Sequence, residues 1–85
     1  MEYVVVAFRS RAETIKFKDI LRRSGIRSEI INTPKEAGVG CGLSVKIDKN
    51  LFGIVRRKVF YSGLKSFAGF FLITVASGKR VVRSI

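Results

Sequence analysis

Histidine is missing from this chain of 85 residues, and cysteine occurs once, as Cys41. Without imidazole the usual proton shuttle at neutral pH is gone, and with it most Cys–His nucleophile pairs and metal sites. A single thiol also excludes an intramolecular disulfide, which fits a reducing cytoplasm. Acidic residues are scarce: Glu2, Glu13, Asp19, Glu29, Glu36 and Asp48 stand against seventeen Lys and Arg. They fall mostly at caps or exposed positions, and no pair is poised for acid/base work. A self-contained hydrolase or metalloenzyme is therefore not expected; no cofactor is implied, and a non-enzymatic carrier or binding protein is the better expectation. Long apolar runs are absent too. The longest, FAGFFLITVA from Phe67 to Ala76, is well short of the roughly 20 residues of a membrane helix. The opening Met1-Glu2-Tyr3 lacks the basic region that precedes the apolar part of a signal peptide. The expectation is a soluble cytoplasmic protein with no membrane partner.

What the chain does hold is positive charge and core material. The formal charge is +11, carried in Arg9/Arg11, Arg22/Arg23/Arg27, Arg56/Arg57/Lys58 and Lys79/Arg80/Arg83. Such a field attracts nucleic acid, an acidic protein or a small anion, although solvated helix faces would account for it equally. The hydrophobic share of 47% is enough for a packed core, so the chain reads as one domain over 1–85 and not as a disordered tail. No repeat or linker interrupts it.

The pattern along the chain reads strand, helix, strand, strand, helix, strand. Glu2 to Phe8 is branched and aromatic with two apolar faces, Tyr3, Val5 and Ala7 on one and Val4, Val6 and Phe8 on the other; this predicts a central strand covered twice. Ser10 and Glu13 form a capping box for a helix running to about Ser24 and stopping at Gly25, with Thr14, Phe17, Ile20, Leu21 and Ser24 inward. A strand follows at Arg27 to Ile31. Thr33 as N-cap, Pro34 at the first helical position and Glu36 at the third predict one helical turn. Alternation then marks a strand from Leu43 with Leu43, Val45 and Ile47 buried. Asp48 or Asn50 caps a second helix carrying Leu51, Ile54, Val55, Val59 and Ser62 inward and ending near Gly63. Phe67 to Val75 is a strand with two apolar faces. Residues 77–85 either turn at Ser77-Gly78 into an edge strand or form a free tail.

This order is that of an α+β, ferredoxin-like βαββαβ sandwich with both helices on one face of an antiparallel sheet. The other face would then show apolar side chains from two strands, which predicts a homodimer through the sheet or an outside partner, unless the C-terminal segment folds over it.

The thiol is the one remaining chemical group of note. Cys41 sits between Gly40 and Gly42, and Gly38, Gly40 and Gly42 would allow unusual backbone conformations that turn consecutive N–H groups into a small anion nest. Lys35, and Lys46 if it reaches the same side, would add positive charge to favour a thiolate, a persulfide or a selenium adduct. The same Cys would serve equally as a small core filler, and the glycines as turn residues. The run SGIRSEIINTPKEAGVGCGLSVKI then adds to the reading. With Gly25, Ile30, Thr33, Pro34, Lys35, Glu36, Cys41, Gly42 and Leu43 at matching positions, it resembles a family of small bacterial selenium/sulfur carrier-like proteins. The resemblance covers roughly Tyr3 to Leu64 and is most specific from Thr-Pro to Cys-Gly-Leu. It implies that Cys41 holds sulfur or selenium as a persulfide-type adduct, with donor and acceptor proteins as partners. The chain departs from the pattern at Lys35, where Arg is usual, in the Gly and Val of the loop, and in a longer, more apolar stretch beyond Leu64.

Two other functions fit parts of the sequence. An RNA-binding sheet would stack bases on Tyr3 or Phe8 and Phe70 or Phe71, with Arg56, Arg57 and Lys58 on phosphates, but the third strand lacks the aromatic motif of such domains. A protein–protein adaptor would use the apolar sheet face, with Phe71 in the contact.

Overall fold

Seven residues, EYVVVAF, form the first strand, β1 (Glu2–Phe8), where branched and aromatic side chains suit a pleated surface. In the computed structural model, which describes residues 1–85, β1 leads into α1 (Arg11–Arg23). Two strands follow, β2 (Glu29–Asn32) and β3 (Leu43–Asp48). A 3-10 turn at Lys49–Leu51 runs into α2 (Phe52–Tyr61), and β4 (Phe67–Ala76) and β5 (Lys79–Ser84) complete the chain. The sheet order is β2-β3-β1-β4-β5 with every pair antiparallel. The architecture is thus a ferredoxin-like βαββαβ fold with an added edge strand. No helix is long and apolar enough to cross a membrane.

The two ends of α1 show why it forms where it does. Ser10 Oγ accepts from the Glu13 N–H at 3.2 Å, half of the expected capping box. The Glu13 carboxylate does not return to Ser10. It accepts from the N–H groups of Lys65 and Ser66, at 3.1 and 2.7 Å, and from the Ser66 hydroxyl, while the Ser10 N–H donates to Ser66 Oγ. The helix start therefore anchors the entry of β4. At the other end the N–H of Gly25 donates to Arg22 and that of Ile26 to Leu21, the paired closure of a Schellman motif. Gly25 takes φ 74°, and Ile26 folds back into the cluster that holds Leu21. Because Ile26 is used in that closure, β2 begins at Glu29, later than the expected Arg27.

Alternation on β1 divides the interior as anticipated. Val4, Val6 and Phe8 pack under the helices with Phe17, Leu21, Val45, Ile47 and Val55. Val5 and Ala7 face the other way and join Phe71 and Ile73. Leu43, expected to be buried, is half-exposed at the start of β3, and Ser44 is fully buried on the opposite face.

The inward stripe of α2 follows expectation at Leu51, Val55 and Val59 and departs from it at Ile54. Phe52, Val55 and Val59 pack against the sheet, and Ile54 is 48% exposed. Ile54 lies one residue, about 100° of helix, from Val55 and so turns away from the sheet, while a 3-10 turn at Lys49–Leu51 leads into the helix. Asp48 caps that turn, its carboxylate accepting from the Asn50 N–H at 2.8 Å.

The second sheet face is not bare, which corrects the argument for a homodimer or adaptor surface there. Val5, Ala7 and Ile73 are fully buried and Phe71 is 8% exposed, with Ala37, Val39 and Val82 packed over them. The segment after β4 turns at Ser77 (φ 52°) and Gly78 (φ 73°), the doubly positive geometry of a tight hairpin, and pairs along β4 from Ala76↔Lys79 to Phe71↔Ser84. It is an edge strand and not a free tail.

Candidate functional site

Cys41 lies in the loop Thr33–Gly42 that connects β2 to β3 across the second sheet face. The base of this loop is fastened twice. The Thr33 N–H donates to the Gly42 carbonyl at 3.0 Å, and the hydroxyls of Thr33 and Ser44 share a 2.7 Å hydrogen bond. Pro34 is buried beneath it, and Ala37 and Val39 hold it to the sheet. At its far side Glu36 forms a two-pronged ion pair with Arg80 of β5, at 2.8 and 3.2 Å. The hydrogen bond from Arg80, with its charge, holds the Glu36 carboxyl below the usual glutamate range. The loop is a compact structure built on a rigid sheet, the usual place for a functional group.

Several sequence expectations change here. Thr33 is not an N-cap: Pro34 precedes the 3-10 turn Lys35–Ala37, which has no side-chain cap, because the Thr33 hydroxyl is taken by Ser44. Glu36 likewise serves the pair to Arg80 and not a capping box. Of the three glycines only Gly38 (φ 68°) uses the left-handed region, as the residue that ends the turn. Gly40 and Gly42 lie outside it, so the alternating conformations of an anion nest are not formed. Lys46 does not reach the loop. It sits ~10 Å along β3 from Leu43 at about 3.3 Å per residue, with Nζ 4.5 Å from the centre of the Tyr3 ring.

What the loop does offer is a half-buried free thiol at Cys41, with exposed Gly40 and Gly42 on either side and exposed Lys35 in the preceding turn. The N–H groups from Val39 to Gly42 donate no hydrogen bond within the chain. These backbone donors are left free by the fold. The most informative residue that sequence reasoning did not assign is Arg80, since only the return of β5 brings it to Glu36.

The basic cluster of α2 lies elsewhere. Arg56, Arg57 and Lys58 belong to the helix that covers the first sheet face, whereas the Cys41 loop covers the second. The proposed RNA-stacking sheet is also corrected: Phe8 and Phe71 are buried, Phe70 packs under α2, and Tyr3 is half-buried beneath Lys46. Both faces are covered, so no open aromatic platform exists.

No curated protein and no solved structure matches the chain. Residues 3–64 match the family described as "Putative Se/S carrier protein-like". That match takes in β1 through α2 and the whole Cys41 loop, leaving β4 and β5 beyond it. The chain belongs to this family of selenium/sulfur carrier-like proteins.

Proposed function

We propose that the protein carries a sulfur or selenium atom on Cys41 and passes it between partner proteins. The observation that carries this reading is a free, half-buried thiol in the fastened loop of a chain that belongs to a selenium/sulfur carrier-like family. The Cys41 thiolate attacks the outer sulfur of a donor persulfide; a new S–S bond forms to Cys41 and the donor departs as its thiolate. An acceptor thiolate then attacks that outer sulfur and releases Cys41, so the exchange needs no net oxidant or reductant. Selenium follows the same path as the S–Se analogue. Thr33, Pro34 and Glu36 hold the loop in place, Lys35 adds a cation to its rim, and Gly40 and Gly42 leave the approach to the sulfur clear of side chains. The N–H groups of Val39 to Gly42 are available to the charged adduct. A lone thiol stays free in a reducing cytoplasm, the setting in which such a carrier would work.

Intact mass measurement of anaerobically purified protein tests the reading. After incubation with a persulfide-forming desulfurase and its substrate, wild type is expected to gain one sulfur atom that a reductant removes, and Cys41→Ser to gain none. A wild-type protein that takes up no sulfur and whose thiol resists alkylation while folded would show Cys41 to be a packing residue.

A further inference from the structure

A groove of about 660 Å³ opens between α2 and β4, on the opposite side of the sheet from Cys41. Arg56, Arg57, Phe60 and Tyr61 form its α2 side, and Phe67 and Phe70 line it from β4. Arg56, Arg57, Phe60 and Tyr61 recur three and four apart, so they make one stripe, and Val59, which packs on the sheet, forms the floor where that stripe meets β4. Gly53 continues the stripe without a side chain and leaves that end open. Phe60 and Tyr61 are each 81% exposed, their rings edge to face with centres 5.1 Å apart. Two large adjacent rings held in water beside an apolar groove mark a contact surface.

The charges around those rings identify the class of occupant. No acidic residue occurs in α2, and neither Arg56 nor Arg57 takes part in an ion pair, unlike Arg22, Arg23 and Arg80. Arg56 stands four residues before Phe60 and Arg57 four before Tyr61, so the two arginines and the two rings share one face of the helix. Two unpaired cations and two exposed rings on one face suit a nucleic-acid strand, whose phosphates take the charge and whose bases need only a π-face to stack on. The net charge of +11 supplies long-range attraction for such a polyanion. We propose that this groove binds single-stranded nucleic acid, with bases stacked on Phe60 and Tyr61 and phosphates held by Arg56 and Arg57. Lys58 is half-buried and outside the groove, so it has no part in the contact.

Fluorescence anisotropy with a labelled oligouridylate of about 12 nucleotides, within the span such grooves occupy, tests this. Phe60→Ala and Tyr61→Ala alter exposed side chains, and their thermal midpoints are checked against wild type first. Each is expected to weaken binding by about 5- to 150-fold, the loss of one stacking platform. Arg56→Gln and Arg57→Gln are expected to lower the slope of log affinity against log salt by roughly 1 each. Lys79→Gln, a charge removed on the hairpin, should leave affinity within about twofold at physiological salt. Ring variants that bind as tightly as wild type overturn the proposal, because the attraction is then charge alone. A poly-glutamate peptide that binds more tightly than the RNA, with the same dependence on Phe60 and Tyr61, also overturns it and assigns the groove to an acidic protein.

Discussion

At Gly69 the backbone takes φ 153°, and the pairing of β4 with β1 slips: Ala7 faces Gly69, but Phe8 faces Phe67. Ala68 is the extra residue of a β-bulge. A Cβ at Gly69 would lie 3.3 Å from two atoms of the Phe71 ring, in a backbone region that L-residues rarely adopt. Gly69→Ala is therefore expected to destabilise the fold by about 1–3 kcal/mol, read as a lower denaturant midpoint at unchanged slope. Gly40→Ala is the useful contrast. It has an ordinary φ and open space around the added carbon, so it should be neutral or stabilising by up to ~1 kcal/mol. If Gly40→Ala unfolds the protein, the loop conformation described above is wrong.

At the scale of elements, the Cys41 loop depends on a strand that lies outside the family match. Glu36 meets Arg80 because β5 returns beside β4, while Thr33 and Ser44 close the loop base within the matched region. The pair is exposed and screened, so its removal should barely move global stability. Its local effect should be larger. Arg80→Ala is expected to speed amide exchange across residues 35–42 and to raise the rate of Cys41 alkylation, with the thermal midpoint nearly unchanged. Unaltered exchange in the loop would mean that Ala37 and Val39, packed on the sheet, suffice to hold it.

The molecule as a whole is positively charged, yet it holds four of its six side-chain carboxyls below their ordinary values. Glu13 is kept below its ordinary value of 4.5 chiefly by the Ser66 hydroxyl, then by the N–H groups of Ser66 and Lys65. Glu2 is lowered by hydrogen bonds from Lys49 and Thr74, Asp19 by Arg22, and Glu36 by Arg80. Because these folded-state values are depressed, their stabilisation is present above the ordinary range and is lost as pH falls through it and below. Protonation also leaves seventeen cations unopposed. The midpoint of thermal unfolding is therefore expected to drop steeply below about pH 4.5, and Glu13→Gln should flatten that dependence. A flat profile from pH 5 to 3 would contradict these contacts.

The fold order was legible because it depends on local chemistry. Branched residues in alternation placed β1 and β3, Ser10 and Gly25 bounded α1, and Ser77-Gly78 offered the hairpin turn that β5 uses. Membership of a carrier-like family was legible too, and the match over residues 3–64 spans the run on which the resemblance rests. Contacts between distant residues were decided only by tertiary structure. The bulge at Ala68 puts Phe67 and Phe70, which simple alternation would send to opposite faces, together beside α2 with ring centres 4.7 Å apart. Glu13 could satisfy its own helix start but reaches Ser66 instead, and Arg80 finds Glu36 across 44 positions of chain. Periodicity and capping are properties of neighbouring residues; which distant side chain satisfies a carboxylate depends on where the backbone brings its donors.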